Sequence, residues 1–358
     1  MLNFTVGPVQ SNSIVKEIGS QDVPYFRTPE FSAVMKENER LMKKFADAEE
    51  SARTVFLTGS GTAAMEAAVM NFFNSNDRVL IVNGGSFGQR FVEICKIHDV
   101  PFTEIKLDYG ESLDKCRLDP FNGKGYTGFL VNIHETSTGV LYDAEIIADF
   151  CRNNNLFLVV DAVSSFLADH LSMREMDIGA LITGSQKALA CPPGISIIVI
   201  SEKGQKKIFD NDIKSMYFDL EIALKNGERG QTPFTPAVGT LLQIHQRLID
   251  IDSNGGVETE QRKIAKLAND FRSKMDGLPI DILPKSMSNA VTSLCTRNCS
   301  ATEIFNILKD EFGIWVCPNG GDLKERVFRV GHLGELTLDD NKKLIDALNV
   351  LMQRNVLK

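Results

Sequence analysis

Two short apolar runs, Phe157 to Val160 and Gly179 to Thr183, are rich in β-branched residues and flanked by turn chemistry. That is the pattern of strands buried on both faces rather than of amphipathic helices. Upstream, Thr54 to Thr58, Arg78 to Asn83, Phe102 to Leu107 and Gly128 to His134 read the same way. Between them the apolar spacing becomes helical. Phe31, Val34, Met35, Leu41, Met42 and Phe45 fall on one face, an alanine-rich stretch runs from Ala63 to Phe73, and Ala144 to Asn153 leads back to the strand at Phe157. This strand and helix order predicts a mostly parallel, doubly wound α/β sheet. Ile195 to Ile200 follows after only the turn Pro192-Pro193-Gly194, too short for a parallel crossover, so that strand is expected to run antiparallel.

Past this point the pattern changes. Glu202 to Lys214 and Lys225 to Gly230 are charged and read as exposed connections, followed by a long helix near Gly239 to Ile251. A helix from Val257 to Met275, β segments around Ile280 to Thr296 and Ile314 to Val330, and helices Thr302 to Glu311 and Leu338 to Gln353 predict a smaller α+β domain. The extended start of the chain is expected to pack against it. The predicted division is residues 16–238 for the large domain and 1–15 with 239–358 for the small one.

Composition narrows the function classes more than the fold. A chain of 358 residues can bury a large core and form two domains. A formal charge of −8 with scattered basic residues argues against nucleic acid and against an anionic membrane surface as partners. The opening Met1 to Gln10 lacks a basic segment followed by an apolar one, and no run approaches bilayer length, so a soluble cytoplasmic protein is expected. Seven cysteines, an odd number without a Cys-x-x-Cys pair, fit reduced thiols better than disulfides or a metal site.

The candidate chemistry sits where the buried strands end. Asp161 closes the first and Lys187 follows the second, so both belong at the carboxyl edge of one sheet, where such folds bind ligands. A carboxylate there is costly unless a cation meets it, and the pyridinium nitrogen of pyridoxal phosphate is such a cation. A lysine at the same edge can supply the Schiff base. Taken singly, the Asp is equally a cap or turn former and the Lys a solvated loop residue. Gly59-Ser60-Gly61-Thr62, between a strand and a helix, forms a natural phosphate cup, since the free amides and the helix dipole both favour an anion. It lacks the ending of a nucleotide P-loop, and by itself is equally a capped helix.

Two motifs, Val160-Asp161-Ala162-Val163-Ser164-Ser165 and Gly184-Ser185-Gln186-Lys187-Ala188-Leu189 with Cys191-Pro192-Pro193-Gly194 behind it, carry a resemblance. They resemble the class V aminotransferases of fold type I, above all the alanine–glyoxylate and serine–pyruvate branch, and the likeness covers nearly the whole chain. The resemblance implies a pyridoxal 5'-phosphate enzyme with Lys187 and Asp161 as its catalytic pair. It implies phosphate contacts from Ser60, Gly61 and Thr62, a ring stacked on Phe87 of Phe87-Gly88-Gln89-Arg90, and cofactor contacts from Thr136, Val163 and Gln186. In relatives, the segment matching Gln231 to Pro236 crosses to the other subunit, which implies a homodimer with shared sites and Thr232 and Thr235 on the partner's phosphate. Arg329, in Phe328-Arg329-Val330-Gly331, matches the substrate-carboxylate arginine, and its planar fork suits two carboxylate oxygens. Gly7, in the turn Gly7-Pro8, is a candidate substrate contact. Arg27 reads as a surface residue at the start of a helix, and His134 as a satisfied structural histidine.

The implied activity is transfer of an amino group from a small amino acid to a small 2-oxo acid such as pyruvate or glyoxylate, in two half-reactions. Transamination of 2-aminoethylphosphonate with pyruvate is the alternative within the same motifs. A cysteine desulfurase-like lyase usually has His where Gln186 stands, and a non-enzymatic scaffold would not need Asp161 and Lys187 together.

Overall fold

The chain is described over residues 1–358 by a computed structural model. The main sheet runs in the order Arg53–Thr58, Ile195–Ile200, Ile178–Gly184, Phe157–Asp161, Gly128–Asn132, Val79–Asn83 and Phe102–Lys106. All neighbours are parallel except Ile195–Ile200, which is antiparallel to both of its own, as its short connection requires. Alternation splits each strand between two cores. Leu158 and Val160 pack with the helices Pro29–Phe45, Ala144–Asn153 and Val238–Ser253, whereas Phe157 and Val159 pack with Gly61–Phe72, Ser86–Ile97, Glu202–Phe209 and Leu220–Gly227. The sheet is therefore covered on both faces, and its carboxyl edge is the place left for a site.

A second sheet has the order Leu2–Phe4, Ile314–Pro318, Val327–Gly331, Val291–Thr296 and Ile280–Ile282. The start of the chain is thus a strand of this sheet, parallel to Ile314–Pro318. Phe4, Phe328 and Val330 point into a core closed by the helices Gly256–Ser273, Ala301–Phe312 and Leu338–Gln353, which leaves Arg329 on the opposite face. At Gly331 any Cβ would stand 2.4 Å from the oxygen of Thr5, so the segment after the first strand passes directly over that glycine toward the main sheet.

Several local expectations are corrected. The charged stretch from Glu202 to Lys214 is not merely a connection, because Glu202–Phe209 is a helix capped by Ser201. Ile208 is the one large apolar side chain it buries, so its charge hides the stripe. Lys225 to Gly230 likewise begins inside a helix, Leu220–Gly227, capped by Asp219. The run Gly128 to His134 ends as a strand at Asn132, and His134–Glu135 forms a small hairpin with Val140–Leu141 instead. No helix is long and apolar enough to cross a membrane, and all seven cysteines are free.

Candidate active site

Asp161 is the last residue of the central strand and is 6% exposed. One carboxylate oxygen accepts from Val163 N at 2.9 Å, and no cation pairs with it. Burial pushes its pKa up to about 6, with Glu135 adding to the rise; the Val163 hydrogen bond and the charges of Arg90 and Lys187 oppose it. Lys187, three residues beyond the strand Ile178–Gly184, is the only buried lysine, and it also lacks an ion-pair partner. Its Nζ donates to Val6 O at 2.6 Å. Burial pulls its pKa down to about 8, with Arg329 in the same direction and Cys317 and Asp161 opposing.

Both side chains line one cavity of about 260 Å³. Ser60, Gly61, Thr62, Phe87, Thr136, Val163, Gln186 and Gly7 line it too, so the structure brings together most of the residues singled out in the sequence. Ser60 is the N-cap residue of Gly61–Phe72, but its hydroxyl makes no capping bond. Beyond Ser60, the first main-chain amide to find an acceptor is Ala63 N, on Ser60 O at 2.9 Å, which leaves those of Gly61 and Thr62 free. Gly7 is packed on the lysine itself, where a Cβ would stand 2.7 Å from Lys187 Cδ.

The neighbouring turns are tied to one another. Glu135 accepts from Gly88 N at 3.0 Å, Phe87 N at 3.2 Å and Asn132 Nδ2 at 2.9 Å, so the Phe87 turn is fixed to the end of the strand Gly128–Asn132. The hydroxyls of Thr136 and Ser164 meet at 2.6 Å. Sequence reading gave no site role to the polar residues Ser164, Arg90 and His134, which also line the cavity. Arg90 lies one helical turn after Phe87, a spacing that could have drawn attention to it.

His134 is a correction. It is buried as expected, but neither ring nitrogen has a hydrogen-bond partner. Burial pushes its pKa down to about 3, and the charges of Lys187, Arg329 and Arg272 act in the same direction; the nearby Ser164 main chain opposes them without completing a hydrogen bond. Burying an imidazole with both ring nitrogens unpaired is costly, so His134 is not the satisfied core residue expected.

Arg329 lines not the inner cavity but an outer cleft of about 700 Å³, which shares Phe87 with it. Its two terminal nitrogens donate to Thr136 O at 3.0 Å and Pro318 O at 2.7 Å, which aims the fork, and Nε is buried without an acceptor. Thr232 and Thr235 lie outside the inner cavity of their own chain. The Thr232 hydroxyl donates to Phe234 O at 2.7 Å and Thr235 is exposed. Arg27 does precede a helix, but it is more than a surface residue there. It donates to Gln231 Oε1 at 3.1 Å, Thr232 O at 2.9 Å and Pro233 O at 3.2 Å, and so braces that segment.

The cavity thus offers a buried carboxylate without a cation, a buried amine without an anion and helix amides without acceptors. A ligand with a protonated ring nitrogen, a carbonyl and a phosphate satisfies all three, so the residues present fit pyridoxal phosphate.

Comparison with known proteins agrees with this chemistry. The family model described as aminotransferase class-V matches residues 25–322. An uncharacterized aminotransferase of Methanocaldococcus jannaschii is 31% identical over 319 residues, 86% of this chain and 81% of that protein. The L-aspartate–glyoxylate aminotransferase of Paracoccus denitrificans is 25% identical over 344 residues, 93% of this chain and 86% of its own. Among solved structures, an aspartate aminotransferase of subgroup IV from Thermus thermophilus superposes with a TM-score of 0.91 at 25% identity, covering 98% of this chain and 99% of that one. The chain belongs to the class V aminotransferases, pyridoxal-phosphate enzymes of fold type I.

Proposed function

We propose that this aminotransferase moves the amino group of a small amino acid, alanine- or serine-like, to a small 2-oxo acid such as pyruvate or glyoxylate, in two half-reactions at one site. The observation that carries this reading is the meeting of Asp161 and Lys187, each without an opposite charge, in one cavity beside the free amides of Gly61 and Thr62. Glyoxylate is named in the Paracoccus relative, which supports it as an acceptor.

In this reading Ser60, Gly61 and Thr62 hold the cofactor phosphate, Phe87 and Val163 bracket the ring, and Thr136 and Gln186 flank its polar edge. Asp161 keeps the ring nitrogen protonated. Bound pyridoxal phosphate supplies an electron-withdrawing ring that takes up the electron pair left at the donor's Cα. Lys187 is the only buried amine near that carbon, so its Nζ takes the Cα proton and holds it as an ammonium, for which Val6 O is a ready acceptor. Arg329 grips the donor's carboxylate through Nε and its remaining terminal hydrogens. Residues 16–238 form the domain that holds the cofactor, and 1–15 with 239–358 the domain that carries Arg329. The working unit is a cytoplasmic homodimer in which the partner's Thr232 and Thr235 complete the phosphate site.

The test is a panel of amino donors, 2-aminoethylphosphonate included, followed in single half-reactions by cofactor absorbance, with pyruvate and glyoxylate as acceptors. Conversion of alanine or serine with either acceptor is expected; exclusive use of 2-aminoethylphosphonate would overturn the donor assignment. Borohydride treatment of the loaded enzyme should leave its label on Lys187 alone, and Lys187→Ala should bind cofactor without turnover.

A further inference from the structure

The charged residues lining the inner cavity are Asp161, Lys187 and Arg90, with His134 neutral beside them. In the reading above, which this inference extends, Asp161 meets the ring nitrogen and Lys187 the cofactor's carbonyl carbon. A phosphate at Gly61 and Thr62 then has helix amides and hydroxyls around it, but the only fixed cation left for it is Arg90. Arg90 is placed for that task. Nη1 donates to Thr62 Oγ1 at 3.0 Å, and the guanidinium carbon lies 4.8 Å from the centroid of the Phe87 ring. No carboxylate pairs with it, and no other hydrogen bond engages its side chain, so Nε and Nη2 keep their donors.

We infer that Arg90 is a further cofactor-binding residue, the counter-charge to the phosphate, and that the same guanidinium positions Thr62 and Phe87. Three elements meet in this one side chain: the phosphate turn through Thr62, the stacking ring through Phe87, and the helix Ser86–Ile97 that carries it. A guanidinium suits the work because it can keep a planar face on an aromatic ring while its edge donates to oxyanions. An ammonium at the end of a flexible stem can supply charge, but not both contacts in one geometry.

The experiment compares the apoprotein's affinity for pyridoxal 5'-phosphate with that for pyridoxal, which lacks the phosphate, in wild type, Arg90→Gln and Arg90→Lys. Tryptophan or cofactor fluorescence reports binding independently of turnover. If Arg90 answers the phosphate charge, Arg90→Gln lowers the affinity ratio of the two ligands by roughly tenfold to a hundredfold, the range of a charge-assisted hydrogen bond. Arg90→Lys should restore part of that ratio, and inorganic phosphate should compete less well in Arg90→Gln than in wild type. An equal loss for both ligands would overturn the inference in favour of a purely structural role through Phe87, and so would an unchanged ratio. Failure of the transamination reading is a separate result, read from the donor panel, because ligand affinities do not depend on any donor being converted. Should Arg90→Gln prove unstable, Arg90→Met serves as a second variant. It keeps an unbranched stem beside Phe87 while removing the charge, and should lower the same ratio by a similar factor.

Discussion

The amine of Lys187 rests on the main-chain oxygen of Val6 at 2.6 Å, so a residue of the main sheet's edge is met by a segment anchored in the other sheet. Gly7 makes that approach possible. Its φ of +131° lies where side chains are disfavoured, and a Cβ would fall 2.7 Å from Lys187 Cδ and 3.0 Å from Gln186 O. Gly7→Ala should therefore keep the fold while pushing the segment off the lysine, at a cost of about 1–2 kcal/mol in backbone strain. Water then reaches Nζ, so its depressed pKa should move up from about 8 toward the ordinary lysine value. The check is the pH profile of turnover: its rising limb should shift to higher pH, with a rate loss of about tenfold near neutrality. A variant with the wild-type profile and rate would show that the contact does not matter.

Cofactor capture by the apoprotein should strengthen as pH rises, for two separable reasons. Below about 8 Lys187 is increasingly an ammonium and cannot attack a carbonyl carbon. Below about 6 Asp161 is increasingly neutral and cannot pair with a protonated ring nitrogen. Binding should weaken by about tenfold per pH unit between these values and more steeply below the lower one. Titration by absorbance from pH 5 to 9 measures it, taking these limits as about one pH unit beyond each transition. In Asp161→Asn the steeper acid limb should vanish, and turnover should fall by roughly a thousandfold or more, because the ring nitrogen loses its charged partner. A flat response across the range would contradict both assignments.

The architecture was legible because the buried strands are short, continuous apolar runs and the glycine turn stands between a strand and a helix. Even the reversed strand Ile195–Ile200 followed from the length of its connection. The helix Glu202–Phe209 was hidden because it buries few side chains among many charges. At the site, Asp161, Lys187 and the turn at Gly61 were readable because the first ends a buried strand, the second follows one by three residues and the third opens a helix. His134 and Arg90 were not, since their significance lies in what they fail to pair with, and sequence carries no record of an empty hydrogen bond. Thr232 and Thr235 stand apart from their own chain's cavity, a placement the linear order of residues does not reveal.

The dimer proposed above leads to a dilution experiment. Arg27 holds Gln231, Thr232 and Pro233 in one conformation through three hydrogen bonds, so the segment is pre-shaped before any partner arrives. If it completes the partner's phosphate site, dilution below the dimer constant should release cofactor, and Arg27→Ala should raise the concentration at which release occurs. Sedimentation and cofactor absorbance measured together check this. A monomer that retains its cofactor at nanomolar concentrations, on the order of a tight protein–ligand dissociation constant, would contradict the shared site.

Arg329 is where the chain would meet its substrate. Its two terminal nitrogens are held by Thr136 O and Pro318 O, so the fork is aimed before any ligand binds, and Nε lacks an acceptor. A carboxylate bridging Nε and a free terminal hydrogen would satisfy that orphan and add charge and geometry together. Lysine offers only a point charge without a planar fork to meet two carboxylate oxygens at once, so Arg329→Lys should not rescue what Arg329→Ala loses. Loss of a buried charge-assisted pair costs a few kcal/mol, so kcat/KM for an α-amino acid should fall by about a hundredfold or more in both variants. Simple amines without a carboxylate should be poor substrates of the wild type and indifferent to either change. The measurement is a set of half-reaction constants for alanine, serine and a matched amine in all three proteins. Equal transamination of alanine by wild type and Arg329→Ala would place the carboxylate grip elsewhere. A loss confined to 2-aminoethylphosphonate and its oxo-acid partner would instead reassign the natural donor.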